Sequence, residues 1–445
     1  MNSIDRTRSL LLFLAASLAP AITIAQDDSP PPGTRPVPVT REDLKQALEQ
    51  SKRSTPRLPL PPISDEERQR AEGGSLGVVN NGRMRRDYLP PGFVAGGFPS
   101  REEPGMTLGY PFQTTLFWIV SRANNCTYCL GHQESKLAAA GVPEDRVAAL
   151  DGDWSGFSPA ERAAFAFTRA LTTTPHEIGD DDLEALRAHY DDDQITEIIY
   201  VVSSFNAMNR WTGALNIPQE EHREYLTPTA PEFRSLVTRV APIGPARPGP
   251  GTRPASPWHR PALESRSEVE ERIESARSRS PRVSLLDAET TRARVQELGE
   301  GEPPNWIRLL ARFPKVGVDR IAILRAVERE GTLDPLLRSQ VAWTAARLDR
   351  SWYALAIARE RLRAAGQSDS EIFALDGDLS ELSEADRLAL RFAQRLTVDP
   401  ALVSDGDVAR LREHFSDHQV AELVAVVAEA AFFDRLTEAA GLPVE

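Results

Sequence analysis

Cysteine is almost absent from this chain: its 445 residues contain two. A disulfide framework is therefore excluded as the source of stability, and the fold has to rest on buried apolar surface. Long apolar runs are missing as well. Beyond the first segment no stretch approaches the roughly 18 uninterrupted apolar residues of a membrane-spanning helix, so no membrane span is expected. Positive charge is in deficit, with 52 Lys and Arg against 65 Asp and Glu and a formal net charge of -13. That balance makes nucleic acid and anionic lipid poor partners. No glycine-rich phosphate loop and no haem-attachment sequence occurs, so no organic cofactor is expected. Period-two alternation of any strength is lacking too. Apolar residues instead recur at helical spacing in several long segments, which predicts an all-α fold.

The first 25 residues have the layout of a signal peptide. Arg6 and Arg8 precede an apolar run from Leu10 to Ala21, and Thr23-Ile24-Ala25 offers a small-x-small cleavage site. The segment holds no Arg-Arg pair and no Cys follows it, which points to the general secretory route and an exported protein, periplasmic or extracellular. Residues 26–55 read as a Pro-rich, mostly disordered arm with a short helix near Asp43 to Gln50. Residues 227–280 read as a linker, because Pro242-Ile243-Gly244-Pro245 and Pro248-Gly249-Pro250-Gly251 break any regular element.

The segments flanking that linker, 56–226 and 281–445, match each other. Arg122 corresponds to Arg347, Tyr128 to Tyr353, Gly141 to Gly366, His189 to His414, Glu197 to Glu422, Arg210 to Arg435 and Pro218 to Pro443, always 225 positions apart. Pro56-Arg57 and Pro281-Arg282 keep that offset, with a one-residue adjustment between that sets Asn81 against Asn305. A period this long means two duplicated domains. Each copy reads as helical. Ser158-Pro159-Ala160-Glu161 is a capping box with Pro at the first helical position, Asp180-Asp181-Asp182 suits a helix start, and Ile195, Ile198, Ile199, Val202 and Phe205 outline a long buried helix.

The two cysteines stand together in Cys126-Thr127-Tyr128-Cys129, with His132 three residues on. Asn124 or Asn125 is the expected cap of a helix that begins at Cys126 and ends at Gly141. Side chains three apart on a helix have Cβ atoms roughly 5–6 Å apart, and a disulfide needs about 3.5–4.5 Å. A modest local movement closes the gap. A first helical turn also stabilises a thiolate, and His132 is placed to take the thiol proton. Other chemistries stay open. Zinc could use Cys126, Cys129 and His132, although no second Cys/His cluster follows. A c-type haem requires His where Leu130 stands. An inert disulfide is the plainest reading, but a loop this short restricts the unfolded chain little.

Asn125-Cys126-Thr127-Tyr128-Cys129, the Ser158-Pro159-Ala160-Glu161-Arg162 helix start and Phe205-Asn206-Ala207-Met208-Asn209-Arg210 together resemble the carboxymuconolactone decarboxylase family, in particular its alkylhydroperoxidase D-like branch. The resemblance covers about residues 56–220 and, more weakly, 281–445. It implies two tandem all-α domains of alkylhydroperoxidase D type, packed as an internal pseudo-dimer or in a homo-oligomer. It implies a thiol-dependent oxidoreductase that reduces a hydroperoxide, with Cys129 attacking, Cys126 resolving and His132 moving protons. A thioredoxin-like dithiol donor would regenerate the thiols, and no cofactor is needed. The family histidine usually stands at the position of Gln133, and the relay glutamate at that of Thr114; Glu134 and Glu197 are the candidate replacements. In the second copy Ser351, Ala354 and Ile357 replace Cys126, Cys129 and His132, which rules out thiol chemistry there. Two alternatives remain: a non-catalytic helical assembly or binding protein with a structural disulfide, and a decarboxylase-like activity independent of the cysteines.

Overall fold

Capping residues and apolar stripes of helical period are spaced along both copies, and each pairing of the two yields a helix. A computed structural model describes residues 37–38, 40–72, 79–94, 103–220, 262–296 and 298–445; the expected signal peptide at 1–25 and most of the expected linker lie outside the described residues. Among the described residues there are 19 α-helices and no strand. The first copy holds α1 (Arg41–Ser51), α2 (Asp65–Glu72), α3 (Asn80–Tyr88), α4 (Tyr110–Ala123), α5 (Thr127–Ala139), α6 (Glu144–Ala149), α7 (Pro159–Thr173), α8 (Asp180–Arg187) and α9 (Asp192–Ala214). The second holds α10 (Arg266–Arg277), α11 (Ala288–Arg294), α12 (Asn305–Leu310), α13 (Val316–Arg329), α14 (Pro335–Asp349), α15 (Trp352–Ala364), α16 (Asp369–Ala374), α17 (Glu384–Val398), α18 (Asp405–Leu411) and α19 (Asp417–Ala439). None of these helices is long and apolar enough to cross a membrane.

The repeat is visible in the backbone. Left-handed residues recur 225 positions apart: Asn125 with Arg350, Trp154 with Leu379, Asn216 with Gly441 and Gly141 with Gly366. It also reaches further than the sequence suggests. The short helix expected near Asp43 to Gln50 is α1, Arg41–Ser51, and it belongs to the packed structure: Thr40 caps it, and Leu44 and Leu48 are fully buried. The linker likewise ends in structure: Ser265 caps α10, which buries Val269, Ile273 and Ala276. These two helices are repeat partners. No one-residue adjustment is needed between the copies either. Asn80 opens α3 and donates through Nδ2 to Pro218 O, as Asn305 opens α12 and donates to Pro443 O. Asn80, not Asn81, is the counterpart of Asn305.

The copies are not separate bodies; the described residues of both belong to one compact unit. Its spine is the pair α9 and α19. Every residue of α9 from Ile195 to Ala214 is buried, so this helix has no solvated face. Contacts between the copies are reciprocal, as across a two-fold axis. Arg57 Nε donates to Asp405 Oδ1 at 2.8 Å, and Arg282 Nε to Asp180 Oδ1 at 2.7 Å. Arg210 Nη2 donates to Thr397 O at 2.9 Å, and Arg435 Nη2 to Thr172 O at 3.0 Å.

Candidate thiol site

The site begins where α4 stops. Asn124 closes α4, and Asn125 turns the chain with φ +49°, a left-handed conformation that asparagine tolerates better than most residues. The cap of α5 is neither asparagine. It is Cys126 itself, whose Sγ accepts the N–H of Cys129 at 3.4 Å, so the helix starts at Thr127. Asn124 instead ties the turn to α9, donating through Nδ2 to Asn206 Oδ1 (3.2 Å) and Asn209 Oδ1 (3.0 Å).

No disulfide joins the two cysteines, and both are buried, each 2% exposed. They converge on one hydroxyl: Cys126 Sγ and Cys129 Sγ each lie 3.1 Å from Thr212 Oγ1 on α9. That hydroxyl donates to Met208 O at 2.9 Å, which leaves its oxygen to accept from the sulfurs. Burial pushes the Cys129 thiol well above the usual thiol range, and the adjoining Cys126 adds to the rise; hydrogen bonding to Thr212 and Asn209 opposes it. In the dithiol form Cys129 is therefore protonated at neutral pH. In the second copy Ser351 Oγ lies 3.1 Å from Thr437 Oγ1, so a hydroxyl pair occupies the place of the Cys126–Thr212 pair.

His132 lies one turn beyond Cys129, and its acid partner is one that spacing along the chain did not reveal. Its Nε2 lies 2.9 Å from Glu220 Oε2, and Tyr128 Oη donates to Glu220 Oε1 at 2.8 Å. The Tyr128 and His132 rings are 4.5 Å apart between centroids. The N–H of Asn80 also donates to Glu220 Oε1, at 2.6 Å. The repeat does carry a signal for Glu220: Glu445 stands 225 positions on and accepts from Tyr353 Oη at 3.0 Å and from the N–H of Asn305.

The two carboxylates expected as proton relays are engaged elsewhere. Glu197 accepts the N–H groups of Thr107 (2.8 Å) and Leu108 (3.1 Å) and the Nε2 of Gln113 (2.8 Å), which fixes the approach to α4. Glu422 does the same for Thr332 and Leu333 in the copy that has no cysteine, so this is a structural duty. Glu134 is bound to Arg41 on α1, to Lys45 Nζ (2.6 Å) and to Trp118 Nε1 (3.2 Å). The Arg41 and Lys45 charges overcome the cost of burial and hold its carboxyl down at about 2. Thr114, at the family's relay position, bonds only its own helix, at Tyr110 O.

Gly131 completes the floor of the site. A Cβ at this position would collide with the amide of Gln219, a buried side chain that lies against it. Gly131→Ala is expected to displace Gln219 and to lower stability by about 1–3 kcal/mol, the usual cost of overpacking; urea unfolding followed by circular dichroism checks this. Among the described residues no group of three or more His, Cys, Asp or Glu is arranged to hold a metal ion.

No family model matches the chain. Over 100 residues, 22% of this chain and 67% of the relative, it is 30% identical to the uncharacterized protein YdfG of Bacillus subtilis. Over 98 residues, 21% of this chain and 53% of the relative, it is 29% identical to the uncharacterized protein YnjA of Escherichia coli. The chain thus spans two thirds of one relative's length and about half of the other's. Through the first of these matches, the chain belongs to the family of the Bacillus subtilis protein YdfG, itself uncharacterized.

Proposed function

We propose that the first copy is the dithiol centre of an exported oxidoreductase that reduces hydroperoxides. The observation that carries this reading is the convergence of both sulfurs on Thr212 Oγ1. Two atoms so placed are separated by no more than twice their distance to that oxygen, and Cys126 sits outside the helix as its cap, so a disulfide requires a side-chain rearrangement at the first turn and no unfolding of α5. The resemblance to the alkylhydroperoxidase D-like branch supplies the reaction class, with the two copies as tandem domains of that type packed into a pseudo-dimer.

The chemistry balances within these residues. Cys129 loses its proton to His132, whose imidazolium is stabilised by Glu220. The thiolate attacks the distal peroxide oxygen, the O–O bond breaks, and the alkoxide leaves as an alcohol by taking the proton that His132 received from Cys129. The sulfenic acid so formed is attacked by Cys126, giving a disulfide and water. An external dithiol of thioredoxin type then reduces the disulfide. The high proton affinity of buried Cys129 makes the base necessary, so activity should depend on His132 and Glu220 together.

Cumene hydroperoxide consumption coupled to a thioredoxin system tests the reading. Cys129→Ser is expected to abolish turnover, Cys126→Ser to stop it after the first equivalent, and Glu220→Gln to reduce it by 10²–10⁴-fold, the usual worth of general acid–base catalysis. Equal turnover by wild type and Cys129→Ser rules the mechanism out. A disulfide with a potential below about -300 mV would identify an inert staple instead.

A further inference from the structure

Beside the thiol site the two copies differ in bulk. In the second copy a cavity of about 320 Å³ is lined by Ala354 and Ile357, which stand where the first copy has Cys129 and His132, and by Ala342 on α14 and Ala430 on α19. Glu328 and Arg329 also line it, and both are exposed, so the chamber opens at the surface. The second copy thus contains a route from solvent to the position that the attacking sulfur holds in the first.

In the first copy two rings occupy the corresponding places. Phe117 on α4 replaces Ala342, and Phe205 on α9 replaces Ala430. Helix α4 packs on both α5 and α9. The rings stack with centroids 3.6 Å apart and planes 3° from parallel. Carbon atoms at that spacing are in van der Waals contact, so nothing passes between them. Phe117 is 7% exposed and Phe205 6%, whereas the two alanines are half-buried. Helices α14 and α19 pack without either ring, so the fold by itself does not call for them. A phenyl ring also brings no group that could move a proton or hold a charge. What the pair contributes next to Cys129 is volume.

We propose that Phe117 and Phe205 set the substrate range of the thiol site: they stand across the approach to Cys129 and favour hydrogen peroxide and short alkyl hydroperoxides over hydroperoxides that carry a ring. This rests on the peroxide-reducing reading above and adds the size of the substrate to it. A compact hydroperoxide needs only a brief displacement of the rings, whereas a cumyl group needs the space that they fill. Apolar side chains discriminate by shape and volume, and differences of this kind are commonly worth tenfold or more in kcat/KM.

Two ratios test this in the whole chain. The first is kcat/KM for cumene hydroperoxide over that for hydrogen peroxide. The second is independent of turnover: the rate at which reduced Cys126 and Cys129 are alkylated by N-phenylmaleimide over the rate with iodoacetamide, read by mass spectrometry. Phe117→Ala with Phe205→Ala, which recreates the residues of the second copy, is expected to raise both ratios about tenfold or more. Phe117→Leu keeps the core filled and is expected to raise them by a smaller factor, which covers the case of a double variant that does not fold. Ala342→Phe with Ala430→Phe in the second copy should leave both ratios at the wild-type value. Ratios that stay constant in the folded Phe117 and Phe205 variants overturn the proposal, as does an equal shift from the second-copy pair. A shift in the alkylation ratio with no peroxide turnover by any variant would sink the peroxide reading and leave the rings as the size filter of the thiols.

Discussion

Arg435→Met is expected to destabilise the protein by about 3–5 kcal/mol, and Arg210→Met, its repeat counterpart, by clearly less. Both guanidinium groups are fully buried, and both cross between the copies, Arg435 to Thr172 O and Arg210 to Thr397 O. What differs is the charge around them. Arg435 Nη1 lies 2.7 Å from Asp349 Oδ2, with both side chains inaccessible to water, and Asp434 is next to it in sequence. The first copy has Asn124 and Asn209 at those two positions, and Arg210 donates to the amide oxygen of Asn206 at 3.2 Å. Removing Arg435 therefore strands the directly bonded Asp349 carboxylate in the core, whereas Arg210 bonds neutral groups and acts on a carboxyl, that of Asp434, only through space. A second change, Asp349→Asn, recreates the first copy's residue and should recover most of the loss in Arg435→Met. Urea midpoints of the two single variants and the double variant measure all three quantities, provided the slopes agree. Equal losses for Arg210→Met and Arg435→Met would show that the backbone contacts across the copies, and not the ion pair, set the cost.

Glu134→Arg should be nearly as damaging alone and largely repaired by Lys45→Glu. In the first copy Glu134 lies between Arg41 and Lys45, and Arg41 also reaches Glu144 at 2.6 Å. In the second copy the same four places hold Arg266, Glu270, Arg359 and Asp369. Two charges have exchanged sign, and the cluster is still satisfied: Arg359 Nη2 reaches Glu270 at 2.9 Å and Asp369 at 2.7 Å, and Arg266 Nη2 reaches Asp369 at 2.9 Å. Glu134→Arg alone leaves three cations facing Glu144, a cost of about 3–5 kcal/mol for a buried uncompensated charge. The double variant reproduces the second copy's pattern; its residual deficit is the acceptor lost by Trp118 Nε1, about 1 kcal/mol. Wild-type stability carries a pH signature from the same residue. The Glu134 carboxyl is held at about 2 against an unfolded value near 4.5, so its contribution is full above pH ~4.5 and fades as pH falls towards ~2. That fall is worth on the order of 3 kcal/mol.

Much of the fold was legible in the chain. Ser158 with Glu161 is a capping box in the structure, and the segment outlined by Ile195, Ile198 and Phe205 is α9, buried from Ile195 to Ala214. Caps and periodicity act within a few residues, so local sequence suffices to place them. The 225-residue offset was equally plain, because a duplication without insertions preserves spacing. What periodicity could not supply was the burial of the short helix expected in the Pro-rich arm. Leu44 and Leu48 look unremarkable in a polar stretch until α5 is present to cover them.

The cysteine pair itself was found by sequence, since rarity and spacing are properties of the chain. The partners of that pair were not. Thr212 is 86 residues from Cys126 and Glu220 is 88 from His132, and only the return of α9 across α5 brings them together. Glu134 and Glu197 were plausible relays by nearness or by type, yet an acid's role depends on which cation or N–H group the packed structure sets against it. The cavity in the second copy belongs to the same class of fact. Sequence showed that Ser351, Ala354 and Ile357 had lost the chemistry; whether the vacated volume would close or stay open as a cavity of about 320 Å³ was settled by the packing of α12, α13 and α19 around it.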